Sequence, residues 1–537
     1  MGNMILLGDE AFAQAAIDAG IKGAYSYPGT PATEILEYVQ RANHKNGKIN
    51  CHWSTNEKVA YEEALGMSFT GGRAIISMKH VGLNVAADPF MNSAMTGVEG
   101  GIVVCVADDP GMHSSQNEQD SRYYADFAKI PCFEPTNQQE TYDFTREAFR
   151  LSEKVGLPAM IRLTTRLSHS RSTVNLSALE NQAPLNPSVN FKNWTLLPAN
   201  ARVRNKRLIE MQKELVKFSD ELAKKQVKYA TKSGALGIIT SGIGYNYLME
   251  NENLIPENTS ILKINFYPLP NETIKEFASK VSEILIIEEG YPYIERQLFT
   301  LLPGVVVKLL GKIEGSLPID GELTPDIIAE YFHKRNGTKI ETKVREIPSI
   351  VAKRPPKLCK SCSHIDTYEA IKEAVLKDEN TRVFSDIGCY TLGFLPPYNA
   401  IHTCVDMGAS VSMAIGASHA GLHPSLAVLG DSTFLHSGIT PLLDAIYQNA
   451  NITIIIMDNS WVAMTGGQPS VAVNERLYEI VKGCGVNIEH IKQITPLRKN
   501  HEENVKIIKE EAYYKGLSVV ISSRECIQVT KRRAKKS

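Results

Sequence analysis

Two strings in the last third of the chain carry the residue types of a cation site. The apolar run Leu426 to Gly430 ends in Gly430-Asp431-Ser432, and a second run, Thr453 to Asp458, ends in Asp458-Asn459 about thirty residues later. Each reads as a buried parallel strand. Parallel strands deliver their carboxyl ends to one crevice. There Asp431 offers a carboxylate, Asn459 an amide oxygen and Trp461 a backbone carbonyl. Such hard oxygen ligands suit Mg²⁺, which bridges protein to a diphosphate in octahedral geometry. Thr465-Gly466-Gly467 follows, and glycines there let backbone N–H groups approach phosphate oxygens. A plain turn after each strand is the alternative, because Gly-Asp after a strand is common.

Strand, Gly-Asp, about thirty residues, strand, Asn is the pattern by which thiamine-diphosphate enzymes hold Mg²⁺; here Ser432 replaces the usual final glycine of Gly-Asp-Gly. That chemistry also needs a carboxyl group beside the pyrimidine ring, to favour the imino tautomer that removes the thiazolium C2 proton. Glu57, in Ser54-Thr55-Asn56-Glu57-Lys58, begins a helix directly after an apparent strand end at Trp53. A first-turn glutamate favoured by the helix dipole is the plainer alternative.

The rest of the chain must position these groups. Its 537 residues predict three or four domains, and 43% apolar residues suffice for sizeable cores. With 58 Lys+Arg against 59 Asp+Glu, the formal net charge is −1, which argues against nucleic-acid and anionic-membrane partners. Apolar runs such as Ile284 to Ile287 and Ile452 to Met457 fall far short of a membrane span. Asp9 and Glu10 without a basic stretch read as no secretory signal, and Leu6 stands where a myristoylation motif wants Ser or Thr. Nine dispersed cysteines fit a reducing, cytoplasmic setting.

The organisation expected is α/β, a multidomain thiamine-diphosphate-binding fold with doubly wound parallel sheets. Residues 1–170 alternate strands (Ala24 to Tyr27, Ala74 to Met78, Ile102 to Ala107) with helices, one over 31–42 and one with Val59, Ala60, Ala64 and Met67 on a face. Residues 171–230 read as a linker, rich in Ser, Asn and Pro over 171–205, then an amphipathic packing helix carrying Leu208, Met211, Leu215, Phe218 and Leu222. A second α/β layer over 231–340 contains Leu236 to Thr240, Ile261 to Phe266 and Ile284 to Ile287. Its Ser241-Gly242-Ile243-Gly244 turn reads as structural, since Tyr247 occupies the third glycine position of a dinucleotide loop. Pro355-Pro356 mark a boundary within 341–357, and a third α/β domain runs to 530, with Val383 to Asp386 and Ser518 to Ser522 as further strands. The basic tail 531–537 reads as solvated and disordered.

Longer strings then carry a family resemblance. Tyr27-Pro28-Gly29-Thr30-Pro31, Asn56-Glu57-Lys58-Val59-Ala60, the run Met78 to Val85, the run Asp108 to Arg122, Asp386-Ile387-Gly388-Cys389-Tyr390-Thr391-Leu392-Gly393 and Thr465-Gly466-Gly467-Gln468 resemble, in the same order over nearly the whole chain, the α subunits of indolepyruvate:ferredoxin oxidoreductases. The resemblance implies a pyrimidine-binding domain over 1–170, a transketolase-C-like domain over 231–340 and a diphosphate-binding domain over 341–530. It implies oxidative decarboxylation of an aryl-2-oxo acid with coenzyme A, electrons passing to a ferredoxin. Glu57 is then the cofactor-activating carboxylate, Thr30 a hydroxyl donor to the substrate and His364 a group that touches the cofactor. Gly388, Cys389, Gly430, Asp431, Ser432, Asn459, Thr465 and Gly466 line the cofactor, while Asp431, Asn459 and the Trp461 carbonyl hold Mg²⁺.

Two departures qualify it. Such α subunits continue into a domain with two iron–sulfur clusters, whereas this sequence stops at Ser537, soon after Cys526; and their Cys-Pro-Gly-Cys-Pro-His-Arg reads Cys359-Lys360-Ser361-Cys362-Ser363-His364-Ile365. Cys359 and Cys362 are the only close pair, short of the ligands that a zinc ion or a cluster needs. No Fe–S cluster is therefore expected in this chain, and electrons would need a γ-type (β) subunit in an oligomer and a separate ferredoxin. His80 and His113 are candidate proton shuttles or structural residues. Arg122 is a candidate carboxylate clamp or a surface salt bridge. Asp108-Asp109 reads as a strand-end turn. The competing functions are a non-oxidative 2-oxo acid decarboxylase and a non-catalytic partner subunit.

Overall fold

The structure, a computed structural model, describes residues 2–44, 47–182, 184, 191–230, 236–339, 348, 350–351 and 355–534. The chain divides into two compact units, Met1–Val344 and Arg345–Ser537. Most of the 341–357 boundary, the start of the 231–340 layer and Lys535-Lys536-Ser537 lie outside the described residues.

In the first unit, Ala74–Lys79, Ile102–Asp108 and Ala159–Thr164 are buried at every position. Such runs cannot offer a polar face, so they form the middle of a sheet covered on both sides. The seven-stranded order is Phe266–Tyr267, Cys132–Phe133, Ala159–Thr164, Ile102–Asp108, Ala74–Lys79, Gly23–Ser26, Asn50–Trp53. All pairings are parallel except that of Phe266–Tyr267 with Cys132–Phe133. A five-stranded sheet follows, ordered Lys308–Leu310, Glu283–Ile287, Leu236–Ser241, Ser260–Ile264, Val227–Lys228. Its last pairing alone is antiparallel. One apolar core runs through both layers.

The stretch 171–205 differs from its reading as a linker. Arg171–Asn175 pairs antiparallel with Asn3–Leu7, Val174 lying buried opposite Met4, and the amphipathic helix already begins at Pro198, running to Ala223. Ser and Asn mark loops only when no partner strand competes for their backbone groups; here Asn3–Leu7, far away in sequence, supplies one.

The second unit holds a wholly parallel sheet ordered Arg382–Ser385, Ser425–Gly430, Thr453–Asp458, Ser518–Ser523, Ile491–Ile494. The basic tail is corrected as far as it is described. Lys531 to Arg533 continue the helix Ile527–Ala534, where Arg532 donates to the Gly466 carbonyl at 2.6 Å and Arg533 lies over the Trp461 ring. No helix among the described residues is long and apolar enough to cross a membrane.

Arg122 and Arg162, both about 1% exposed, stitch the two layers of the first unit. Arg162 pairs with Asp108 at 2.7 Å. Arg122 binds Asp120, Glu288 at 2.8 Å and the Tyr291 carbonyl at 2.9 Å. Arg122 is thus neither a surface salt bridge nor a free clamp, because every arm of its fork is spent inside the protein. Breaking one partner of a buried pair strands the other charges at a cost of about 3–5 kcal/mol. Arg122→Ala is therefore expected to lower unfolding free energy by about that amount in urea titrations followed by circular dichroism. A loss below about 1 kcal/mol, the range of exposed pairs, would refute this role.

Candidate functional site

The parallel strands of the first unit end side by side, and their following loops share that edge. After Ser26 comes the turn in which the Ala32 N–H donates to the Gly29 carbonyl at 2.8 Å; it carries half-buried Thr30. After Trp53, Asn56 caps the helix Glu57–Ser68 by accepting from the Val59 N–H at 2.9 Å. The cap fixes Glu57 at the first helical position, where it is 6% exposed. Its carboxyl packs on the helix His80–Val85. A Cβ added at Gly82 would sit 2.5 Å from Glu57 Oε1, so any larger residue there would displace the carboxyl.

At the same edge Lys79 is buried and donates to the Ser114 carbonyl at 2.7 Å. Burial pulls its amine down to about 8. Sequence reasoning passed over Lys79, which lies inside the quoted Met78 to Val85 string. His80 Nε2 lies 3.2 Å from the Asn117 carbonyl, so that nitrogen carries the proton. His113 is half exposed and faces Glu322 at 3.0 Å. Asp109 accepts from the Ser114 N–H, Ser115 and Thr165; with Asp108 committed to Arg162, the pair braces loops.

In the second unit three adjacent strands end in Asp386, Asp431 and Asp458-Asn459. Asp431 is 2% exposed, and its Oδ2 has no hydrogen-bond partner, nor has the neighbouring Ser432 Oγ. Burial, then the charge of Asp458, pushes the Asp431 carboxyl up to about 8. A buried oxygen lacking any donor, next to a second acid, is what a cation ligand looks like without its ion, so these residues fit Mg²⁺.

Asn459 is held from both ends. Its Oδ1 accepts from the Trp461 N–H at 2.9 Å, and its Nδ2 lies 3.3 Å from His364 Nε2. Burial lowers the His364 imidazole to about 4, so it is neutral and can accept there. His364 thus orients Asn459. The Oδ1 lone pair not used by Trp461 is left for a metal.

The glycine loop is shaped to approach a ligand. Gly466 and Gly467 have φ of 126° and 97°, conformations that side chains rarely adopt. The Thr465 hydroxyl is bonded to Gln468 at 2.7 Å. Gly388 and Gly430 make room for Tyr390, since a Cβ at either would lie within 3 Å of its ring. Their role in the structure is this packing against the tyrosine, whose hydroxyl bonds Asp386 and Thr433.

One grouping was invisible in sequence. Cys359, Cys362, Cys389 and Cys526 line a single pocket of about 70 Å³ together with His364, Asn459, Gly466 and Gly467. The premise behind expecting no cluster, that no four cysteines group, is therefore corrected. Burial and then the neighbouring thiols Cys362, Cys526 and Cys359 push Cys389 up to about 12. No three of these thiols fall within 4.8 Å of one another, wider than one tetrahedral ion with ~2.3 Å bonds needs. The pocket is also far below the roughly 300–1,000 Å³ of ordinary small-molecule sites. Cys526 is held against the cofactor-side residues, its N–H donating to the Asn459 carbonyl at 3.0 Å. Cys389 lay in a quoted string, but Cys526 sits just past the last strand, with no nearby cysteine to announce it.

Comparisons with known proteins bear on this arrangement. Residues 386–520 match the family described as thiamine pyrophosphate enzyme, C-terminal TPP binding domain. Residues 14–213 match pyruvate flavodoxin/ferredoxin oxidoreductase, thiamine diP-bdg. Among curated relatives, indolepyruvate oxidoreductase subunit IorA of Methanothermobacter thermautotrophicus is 36% identical across 98% of this chain and 87% of the relative. The IorA subunit of Archaeoglobus fulgidus is 36% identical across 97% and 86%. A solved 2-oxoglutarate:ferredoxin oxidoreductase from Magnetococcus marinus aligns with TM-score 0.49 and 15% identity over 62% of this chain and 65% of that one.

The raised carboxyl of Asp431 has a measurable consequence. Below about pH 8 the cation-free site holds a proton that Mg²⁺ must expel. Mg²⁺ affinity in the presence of thiamine diphosphate should rise about tenfold per pH unit up to about 8 and then level off. Asp431→Ala should weaken binding and abolish this slope while the fold survives. Calorimetry over that range checks both; a flat profile in the unmodified protein would refute the raised carboxyl, and unchanged affinity in Asp431→Ala would exclude Asp431 as ligand.

Proposed function

The chain belongs to the family of indolepyruvate oxidoreductase IorA subunits, thiamine-diphosphate-dependent 2-oxoacid oxidoreductases, and on that footing we propose that it oxidatively decarboxylates an aryl-2-oxo acid of the indolepyruvate type to its acyl-CoA. The observation that carries this reading is the 36% identity over 98% of the chain. Thiamine diphosphate, when bound, supplies a nucleophilic carbon for the oxo group and a sink for the electrons left by decarboxylation.

The roles fall to residues already described. Asp431, Asn459 and the Trp461 carbonyl hold Mg²⁺, with neutral His364 keeping the Asn459 amide turned. Gly466 and Gly467 bring backbone N–H groups to the diphosphate, with Gly388, Cys389, Gly430, Ser432 and Thr465 around it. Glu57 shares a proton with the pyrimidine nitrogen from a site shielded from water. Thr30, half-buried on its turn, donates its hydroxyl to the oxo or carboxylate oxygen of the substrate.

Electrons must then leave one at a time. Cys359, Cys362, Cys389 and Cys526, which line one pocket, would be the thiolate ligands of an iron–sulfur cluster, and such a cluster would supply single-electron steps. This replaces the expectation of a cluster-free chain. Coenzyme A as acyl acceptor, a γ-type (β) subunit in a larger oligomer and a separate ferredoxin complete the reading, with neither nucleic acid nor membrane as partner. Nine free cysteines suit the cytoplasm.

The test is a panel of 2-oxo acids given to the chain with its partner subunit, with and without coenzyme A and an artificial electron acceptor. Acyl-CoA formation, fastest with aryl substrates and dependent on the acceptor, is the expected outcome, together with stoichiometric iron and sulfide in anaerobically purified chain. Aldehyde release without an acceptor would make the protein a non-oxidative decarboxylase. Iron-free protein that still reduces the acceptor would sink the cysteine assignment.

A further inference from the structure

Asp9, Glu34 and His169 come from three elements of the first unit and have no part in the sites above. Asp9 and Glu34 lie in the first turns of the helices Gly8–Asp18 and Thr33–Asn43, and His169 ends the helix Thr165–His169. One ligand atom from each lies within 4.8 Å of the other two, with His169 Nε2 3.5 Å from Glu34 Oε2.

Asp9 is fully buried, and among the described residues the donor facing its carboxyl is the equally buried hydroxyl of Ser168, the residue before His169. Burial and then the charge of Glu34 raise the proton affinity of Asp9 well above the usual carboxylate range, and the Ser168 hydroxyl offsets this only in part. Buried polar groups are nearly always satisfied, so a buried carboxylate met by one hydroxyl and facing a second carboxylate and an imidazole marks a missing partner. No arginine fills the place: Arg41 is spent on Glu10 at 3.2 Å, largely in solvent.

We propose that Asp9, Glu34 and His169 bind a divalent cation of the Mn²⁺ or Zn²⁺ class, separate from the Mg²⁺ at Asp431 and Asn459. Two carboxylate oxygens and one imidazole nitrogen suit such ions better than the all-oxygen preference of Mg²⁺. Glu34 and, more weakly, the Pro31 carbonyl hydrogen-bond the His169 ring and hold its proton, which a bound cation would displace. The site is built to close tightly, since a Cβ on Gly8 would lie 2.2 Å from the Leu167 carbonyl. Side chains of Glu34 and His169, each 36% exposed, leave an entry path. The ion would tie the start of helix Thr33–Asn43, and with it the turn bearing Thr30, to the helices Gly8–Asp18 and Thr165–His169.

The test counts bound Mn²⁺ by electron paramagnetic resonance in the full chain with saturating thiamine diphosphate. Mn²⁺ is used because the four thiols compete for Zn²⁺. Two Mn²⁺ per chain are expected, falling to one in Asp9→Asn and in His169→Ala, and to a different one in Asp431→Ala. His169 is partly exposed, so His169→Ala keeps the test valid if Asp9→Asn folds poorly. One Mn²⁺ in the unmodified chain, lost altogether in Asp431→Ala, would overturn the proposal, as would two Mn²⁺ retained in His169→Ala.

Discussion

Parallel strands all end on the same side of their sheet, and in both units the chemistry follows from that constraint. In the first, the loops after Ser26, Trp53 and Lys79 bring Thr30, Glu57 and His80 to one edge. In the second, neighbouring strands deliver Asp386, Asp431 and Asn459 to another. Ala74–Lys79, Ser425–Gly430 and Thr453–Asp458 are buried at every position, so the residue past each of these ends is held close to the core. Buried acids arise there as a direct result of topology.

Burying an acid costs free energy unless something compensates it, and the protein uses two kinds of compensation. Between the layers of the first unit the answer is internal: Arg122 and Arg162 pair with Asp108, Asp120, Glu134 and Glu288. At Asp431 no cation among the described residues answers, and burial beside Asp458 pushes the carboxyl up to about 8. The thiols of Cys362 and Cys389, raised by burial to about 11 and about 12, present the same imbalance. A bound metal reverses it by holding the group ionised. At Asp431 and at these thiols, the group left uncompensated is one read as a ligand.

Much of this was legible in sequence, and the limits have physical reasons. Continuous apolar runs such as Thr453–Asp458 announce buried strands, and Gly-Asp and Asp-Asn at their ends announce what stands at the crevice. The helix start at Glu57 was legible because a helix directly after a strand is a local signal. What stayed hidden depends on contacts between residues distant in sequence. Asn3–Leu7 pairs with Arg171–Asn175, turning an apparent linker into a strand, and Cys526 joins Cys359, Cys362 and Cys389 only once the sheet is assembled. His364 was expected to touch the cofactor; its position beside Asn459 adds an orienting task that no spacing rule encodes. The tail looked solvated from its charge, yet Arg532 finds the Gly466 carbonyl.

Cofactor activation by Glu57 is the step on which the proposed chemistry turns. The most direct measurement is hydrogen–deuterium exchange at C2 of bound thiamine diphosphate, read by NMR after acid quench, in the unmodified protein and in Glu57→Gln. The substitution keeps the size of the side chain and its place against Gly82 but cannot exchange a proton with the pyrimidine nitrogen. Exchange should slow by roughly 10²- to 10⁴-fold, the ordinary worth of a positioned acid–base group, while thiamine diphosphate and Mg²⁺ still bind. Exchange as fast as in the unmodified protein would reduce Glu57 to a helix-start residue and contradict its assignment as the activating carboxylate.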